Sequence, residues 1–404
     1  MHASPDIVII GAGPAGLIAA EHLAESGLSV VVAERMPSPA RKFLLAGRGG
    51  LNLTHSEPLD RFLDRYGPAR AALEPALRAF PPDALRAWAD GLGEETRIGT
   101  SGRVFPKSFK ATPLLRGWLR RLDTLGVRFA LSHRWLGWTA DGALAFATPA
   151  GPVALRPRAT LLALGGASWP RLGADGGWVP LLAAQGVTVV PLMPSNVGVL
   201  CPWSPALRER FHGAPLKGCA FAVGGSRSRA EAVITREGLE GGAIYALSAA
   251  LRAALADGPT RLAVDLKPDV AVDALARRLA AGKPGDSLAN LLRKKAGLSP
   301  AAIALLREAG PSPLPRAPDA LAAALKALSV PVTGLGGIDR AISTAGGIAL
   351  SGLDAGFQLR ALPGIYAAGE MLDIDAPTGG YLLQSAFSTG MAAATAIRRA
   401  LTGI

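Results

Sequence analysis

The stretch DIVIIGAGPAGLIAAEHLAESGLSVVVAE, residues 6–34, decides the fold of this chain. An apolar run at residues 7–10 meets Gly11, Gly13 and Gly16 in a G-x-G-x-x-G spacing. A helix-forming stretch follows, and a second apolar run at residues 30–33 stops at Glu34. Each part has a physical task. Gly11 permits a tight turn off the strand, Gly13 lets the backbone approach a pyrophosphate, and Gly16 lets helix and strand pack closely. Pro14 and Ala15 belong to the same phosphate turn, where free N–H groups and the helix dipole face the phosphate charge. Glu34, with Arg35 directly behind it, is placed to accept hydrogen bonds from ribose hydroxyls, and an acid here disfavours a 2′-phosphate. A lone G-x-G-x-x-G is a weak signal, but here strand, helix, strand and terminal acid all fall at the expected offsets. The unit predicts a βαβ nucleotide fold for FAD or NAD rather than NADP.

Composition bounds the rest. The chain has 404 residues, 49% of them hydrophobic, enough for two or three domains with a large core. The two cysteines, Cys201 and Cys219, are too far apart for a redox C-x-x-C pair or a zinc cluster. No metal-ligand spacing occurs, so no metal site is expected. Few cysteines suit a reducing compartment, and with the nucleotide strand starting near Asp6 no secretory leader of the usual form is expected. Residues 176–207 are apolar but broken by Pro180, Pro191, Pro194 and Pro202. Residues 376–397, rich in Gly, Ser, Thr and Ala, read as a buried helix rather than a membrane span. A cytoplasmic protein without membrane contact is expected. The net charge of +12 invites a nucleic-acid partner. The basic residues are nevertheless spread from Arg35 to Arg399 with acids between them, which counts against a dedicated patch.

Beyond the opening unit, residues 40–57 (ARKFLLAGRGGLNLTHSE) read as a loop. Two helical patterns follow, and residues 102–131 read as a basic loop, an amphipathic helix and a strand. Alternation around residues 135–138 and 144–148 suggests a small antiparallel element. Residues 160–164 form an apolar run before Gly165-Gly166 that suits a buried parallel strand. After Pro191 short strand-like pieces (VGVL, CAFAV, EAVIT, RLAVD) alternate with turns. Helical patterns then run from about Val270 to Leu328, broken by the proline-rich residues 311–318. The expected architecture is a discontinuous, mostly parallel α/β Rossmann domain at 1–191 and 334–404. Residues 192–333 form an inserted domain, β-barrel-like and then helical. No second G-x-G-x-x-G occurs, so no separate NAD(P) domain is expected.

The C-terminal run at residues 362–390 (LPGIYAAGEMLDIDAPTGGYLLQSAFSTG) is the partner of the opening unit. A buried strand ends in Gly369-Glu370, and a long uncharged helix starts after Gly379-Gly380. In FAD-binding Rossmann proteins a strand of the form YAAGD sets its acid beside the ribityl chain and pyrophosphate, and Glu370 stands at that position here. The helix that follows points its positive end at the flavin ring, where it stabilises the anionic reduced form. These motifs, with residues 41–54, GRVFP (102–106), LGGASWP (164–170) and TAGGIALS (344–351), resemble the HI0933-like (BaiN/YhiN-type) flavoproteins over nearly the whole chain. The nearest resemblance is to the subgroup reading RKFLLAGRGGLNLTHSE. That resemblance implies FAD, with Gly49, Gly50, Asn52 and Leu53 along the flavin and Arg41 and Lys42 near the phosphates. Trp135 would offer its backbone to the adenine, and Gly165 and Gly166 would border the dinucleotide.

Two departures limit the transfer of any substrate. Most of the family reads GRCN where this chain has Gly49-Gly50-Leu51-Asn52, so no thiol role survives there. The family's TGGYN becomes TGGYL, with Leu382 replacing a polar group. The expected activity is FAD-dependent oxidoreduction of a small organic molecule, with hydride passing through flavin N5 and NAD(P)H as a transient donor. Reduction of an activated C=C bond, or the reverse dehydrogenation, is the preferred class. It needs a cation to polarise a carbonyl and a proton donor, and the candidates are Arg48, Arg103, Lys107 and Tyr381. The alternatives are a tRNA- or RNA-modifying flavoprotein and a non-catalytic FAD-binding redox module. Among the histidines only His55, next to the flavin loop, is placed to face a site.

Overall fold

The computed structural model describes residues 4–283 and 285–403; the side chain of Arg48 lies outside that description. The chain divides into two compact units. One comprises the stretch up to Met193 and the stretch from Ser343, and the other is Pro194–Ile342.

The first unit is built on a five-stranded sheet whose strands lie in the order Ile365–Ala367, Ala159–Leu162, Ile7–Ile10, Val30–Glu34, Arg128–Leu131. Every pairing is parallel. The opening strand is central, and Ile7, Val8, Ile9 and Ile10 are all buried. An unbroken apolar run suits a parallel strand covered on both faces. Its neighbour Ala159–Leu162 is the apolar run before Gly165-Gly166, and the strand Ile365–Ala367 comes from the far end of the chain. The sheet therefore joins the two ends that the motifs linked. The helix Pro14–Glu25 packs along the closing helix Tyr381–Thr402. Contact is so close that a Cβ on Gly390 would lie 2.4 Å from the Ala15 carbonyl. Stacked Trp118 and Phe387, with Trp88 set edge-on to Trp118, fill the core beside them.

Two three-stranded sheets also belong to this unit. Arg134–Trp138, Leu144–Thr148 and Gly151–Leu155 form the small antiparallel element expected from their alternation. The other sheet, Thr54–His55 with Arg103–Pro106 and Thr96–Ile98, is antiparallel and differs from the expectation. GRVFP reads as a loop in isolation and is a strand in the structure, paired on one side with Thr96–Ile98 close by and on the other with Thr54–His55, about fifty residues earlier. Residues 40–57 also differ from a plain loop. They hold a short helix, Arg41–Ala46, and a 3-10 turn, Gly47–Gly49, ahead of Thr54–His55.

The second unit contains two antiparallel sheets of five and four strands. Four helices follow the strand Thr260–Asp265 or precede Leu328–Val332: Val272–Ala280, Leu288–Lys295, Pro300–Ala309 and Pro318–Lys326. Both cysteines are free and buried here. Burial pushes the Cys201 thiol up to about 12 and the Cys219 thiol to about 11, which suits inert core thiols. Among the described residues no helix is long and apolar enough to cross a membrane, and no cluster of metal-binding side chains occurs.

Candidate active site

The helix Pro14–Glu25 starts from Gly13, an extended residue with no side-chain cap, and Pro occupies the first turn. Its leading N–H groups are thus left for a ligand. Gly11 has φ +110°, and a Cβ there would lie 2.2 Å from the Ala163 carbonyl oxygen. Only glycine fits. Glu34, at the end of its strand, accepts from Ala12 N–H at 2.9 Å and from Met36 N–H at 2.8 Å. The acid therefore braces the glycine turn and keeps further lone pairs for hydroxyl donors. Arg35 pairs with Asp175 and donates to the Pro170 carbonyl at 2.7 Å. The Gly165 carbonyl accepts from the Trp178 indole at 2.9 Å. Trp135 is buried, and its indole Nε1 has no partner.

Lys42 and Glu370, from opposite ends of the chain, meet at this centre. Lys42 Nζ donates to Glu370 Oε2 at 2.6 Å and to Ser168 Oγ at 2.5 Å. Glu370 also accepts from Thr344 N–H at 3.2 Å and Gly166 N–H at 3.4 Å. Arg41 donates to Ser38 Oγ at 3.3 Å. The Nε atoms of Arg35 and Arg41 are buried and have no hydrogen-bond partner among the described residues. Unmet cationic donors beside an uncapped helix start are the chemistry a pyrophosphate satisfies.

A second cluster lies where the Gly49–Leu53 loop meets the start of the closing helix. Gly50 packs on the Phe109 ring, and Leu51 N–H donates to the Phe109 carbonyl at 2.9 Å. Asn52 Nδ2 donates to the carbonyls of Thr54 and Val104, at 2.8 and 3.1 Å. Leu53 is buried, and its N–H donates to Val104. These residues fix the loop to the strand Arg103–Pro106. Gly380 has φ +93°, and a Cβ there would lie 2.5 Å from Thr54 Cα. The Thr54 hydroxyl beside it is fully buried and has no partner. Gly369 and Gly379 also adopt positive φ.

The four catalytic candidates fare differently. Arg103 is half-buried, and its guanidinium reaches only Thr378 Oγ1, at 3.4 Å, with no ion pair among the described residues. Lys107 is exposed and pairs with Glu95. Tyr381 is buried and donates to Glu57 Oε1 at 2.5 Å. Arg48's side chain lies outside the described residues. His55 stacks on the Tyr381 ring, centroids 5.6 Å apart. Its Nδ1 accepts from Glu57 N–H at 3.1 Å, and its Nε2 lies 2.9 Å from the Ser101 carbonyl. These partners assign the neutral Nε2–H tautomer.

Three groups escaped the sequence reading. Glu57 takes both Arg65 donors, at 3.1 and 2.7 Å. Burial works to raise its pKa, but hydrogen bonds from Arg65 and Tyr381 outweigh it and hold the carboxyl below its ordinary range. Burial and then the Glu57 bond push the Tyr381 phenol well above its usual range. Asp373 follows Glu370 by three residues in the sequence; burial and then Asp375 raise its carboxyl, against a hydrogen bond from the Gly346 backbone. Its raised pKa could not be read from residue types alone.

Residues 5–396 match the HI0933-like protein Rossmann domain. The chain is 25% identical over 404 residues to the ribosomal RNA dihydrouridine synthase of Escherichia coli, covering 96% of this chain and 97% of that protein. It is 27% identical over 418 residues to the 3-dehydro-bile acid delta(4,6)-reductase of Clostridium scindens, covering 96% and 98%. The fold is also similar to that of a 3-ketosteroid delta1-dehydrogenase from Sterolibacterium denitrificans. There the TM-score is 0.53 at 14% identity, over 98% of this chain and 99% of that one. This chain belongs to the HI0933-like family, and its first unit is a Rossmann-type FAD-binding domain, that of an FAD-dependent oxidoreductase.

Proposed function

We propose that the protein reduces a C=C bond conjugated to a carbonyl, or catalyses the reverse dehydrogenation, with FAD as prosthetic group. The observation that carries this reading is Arg103, a half-buried cation beside the Thr378–Gly380 turn that forms no ion pair among the described residues. A site that saturates a conjugated bond needs such a charge where the carbonyl oxygen becomes negative. The two full-length relatives add support. A bile-acid delta(4,6)-reductase and a dihydrouridine synthase are both named for saturating a double bond conjugated to a carbonyl. A bound flavin would supply the hydride through N5.

The chain's own residues supply the rest. Gly11, Gly13, Pro14, Ala15, Gly16 and the helix they start would hold the pyrophosphate, with Arg35, Arg41 and Lys42 around it. Glu34 would hold the ribose, Trp135 the adenine, and Gly165, Gly166, Gly369 and Glu370 the central part of the dinucleotide. The Gly49–Leu53 loop and Gly379-Gly380 would border the ring. Tyr381 and Lys107 are engaged by Glu57 and Glu95, and the proton donor's role is assigned to Asp373, whose carboxyl burial raises. A donor must be protonated to work, and a raised carboxyl stays protonated to higher pH. The rate should therefore fall as pH rises through that pKa. Asp373→Asn should abolish this limb of the pH–rate profile and lower the plateau by about 10²-fold or more. An unchanged profile would assign the proton elsewhere.

The direct test is the visible spectrum of the purified protein, before and after NADH or NADPH under anaerobic conditions, followed by a 3-oxo-4,6-diene steroid. Flavin bands bleached by a donor and restored by the dienone are expected. A protein that binds no flavin, even after FAD reconstitution, would end the reading. A second reading makes uridine in RNA the acceptor. It is favoured by the rRNA-directed relative and by the net charge of +12. It predicts restoration of the bands by an RNA oligonucleotide, with a steep loss of RNA affinity as salt rises.

A further inference from the structure

We propose that Glu57 is a positioning residue: ion-paired with Arg65, it holds Tyr381 and His55 as one block and so fixes the Gly379–Gly380 turn beside Arg103. The inference rests on the reading that this turn borders the flavin ring.

The two elements that meet here cannot fix their own ends. The strand Thr54–His55 is two residues long. The closing helix starts from Gly380, a left-handed residue with no side chain to cap it. Glu57 supplies what both lack. Its carboxylate takes the Tyr381 hydroxyl at 2.5 Å, which anchors the first helical residue. Its own N–H holds His55 Nδ1 at 3.1 Å, which anchors the strand. His55 then reaches the Ser101 carbonyl at 2.9 Å and faces Arg103 across the strand pair. A Cβ on Gly102 would lie 2.5 Å from the His55 ring, so the backbone leading into Arg103 lies directly against that ring. Tyr381 is also held from its other end, where Tyr66 donates to its carbonyl at 2.7 Å. Phe62 packs on its ring, centroids 4.8 Å apart.

Stability alone does not call for this arrangement. The Glu57 side chain is 10% exposed, and replacing a buried ionic group by well-packed apolar side chains is often neutral for stability. An apolar cluster of the same shape would hold the layers together as well, but it would leave the helix start free to shift against the strand. Directional bonds to the Glu57 carboxylate, on a residue whose own N–H holds His55, remove that freedom, and a buried network acts as a unit only when all its members are satisfied. Among these groups Tyr381 thus acts through the turn it holds, with its hydroxyl committed to Glu57.

The test uses the full chain with Glu57→Ala, Glu57→Gln, Tyr381→Phe and the double variant Glu57→Ala/Tyr381→Phe. FAD is titrated into each apoprotein, and the shape of the long-wavelength flavin band and the apoprotein melting temperature are recorded. Glu57→Ala and Tyr381→Phe should each weaken FAD by about tenfold, the size of one lost charge-assisted hydrogen bond, and alter the band. The double variant should be no worse than either single, because one interaction is being removed twice. Glu57→Gln, whose amide carbonyl still accepts from Tyr381, should recover most of the affinity. Additive losses would overturn the proposal, as would a lower melting temperature with unchanged FAD affinity and band shape. A wild-type chain that binds no FAD would instead remove the cofactor reading, and this proposal with it. Wild-type binding with unmoved variants would remove this proposal alone.

Discussion

Arg103→Met should cut kcat/KM for reduction of the conjugated acceptor by about 10²–10³-fold, the usual cost of one lost oxyanion donor, while leaving FAD content and flavin spectrum unchanged. The guanidinium is half-buried, and its one hydrogen bond among the described residues goes to the Thr378 hydroxyl, at 3.4 Å. Among the described residues no carboxylate pairs with it, as carboxylates pair with Arg35, Lys42 and Lys107. Methionine keeps most of the stem's packing, so the loss reports the charge. Its backbone is set by the strand pairing of Arg103 with His55, which the substitution leaves in place. The distribution of the effect carries the mechanism. A cation that meets the oxygen only as negative charge develops lowers kcat and kcat/KM together, whereas one that merely binds substrate raises KM. Arg103→Lys should recover only part of the rate, because a point charge on a flexible stem does not reproduce the planar fork. Kinetics indistinguishable from wild type in Arg103→Met would remove Arg103 as the polarising group, and with it the main structural support for the reaction class.

How much of this was legible in advance depended on how local each signal is. The βαβ unit could be read because strand, turn, helix and acid are contiguous and their spacings follow from backbone geometry. The strand Ile365–Ala367 and Glu370 could be read because the second motif is also contiguous. That Lys42 and Glu370 form an ion pair 328 residues apart could not be read from either motif alone. It appears only once Ala159–Leu162 is seen between the opening strand and Ile365–Ala367. The sheet containing Thr54–His55 was missed for a related reason. Two residues carry no periodicity, and their partner GRVFP looks like a basic loop when read alone. The roles of Glu57 and Arg65 stayed hidden behind it. Glu57 is the final residue of the quoted LNLTHSE run, yet nothing in its type or spacing indicates that Tyr381, 324 residues away, ends on its carboxylate. The catalytic candidates were chosen as charged or phenolic residues near the motifs. Residue type cannot tell a cation already paired, such as Lys107, from one left open, such as Arg103.

Gly11→Ala and Gly13→Ala should separate the two demands that one glycine motif makes on the chain. At Gly11 the backbone sits at φ +110°, and a methyl group would lie 2.2 Å from the Ala163 carbonyl oxygen. That oxygen cannot retreat cheaply, because Ala163 N–H is bonded to the Ile10 carbonyl at 2.8 Å and the two strands run in parallel register. Backbone strain of about 1–3 kcal/mol adds to overpacking of about 1–3 kcal/mol. The apoprotein itself should therefore lose about 2–6 kcal/mol, read as a lower denaturant midpoint. Gly13 is the opposite case. Its φ of −85° and ψ of 179° suit any residue, and a Cβ there meets nothing within 4 Å. Gly13→Ala should leave the apoprotein's stability within about 0.5 kcal/mol of wild type. The open space in front of Gly13 is nevertheless where a pyrophosphate on the helix start would lie, close enough to the backbone to exclude a methyl group. FAD affinity should then fall by about 10²-fold, equivalent to about 2.7 kcal/mol of lost contact. A Gly13→Ala protein that binds FAD as tightly as wild type would mean that no phosphate approaches this turn. The nucleotide would have to lie elsewhere, however well the glycine spacing fits.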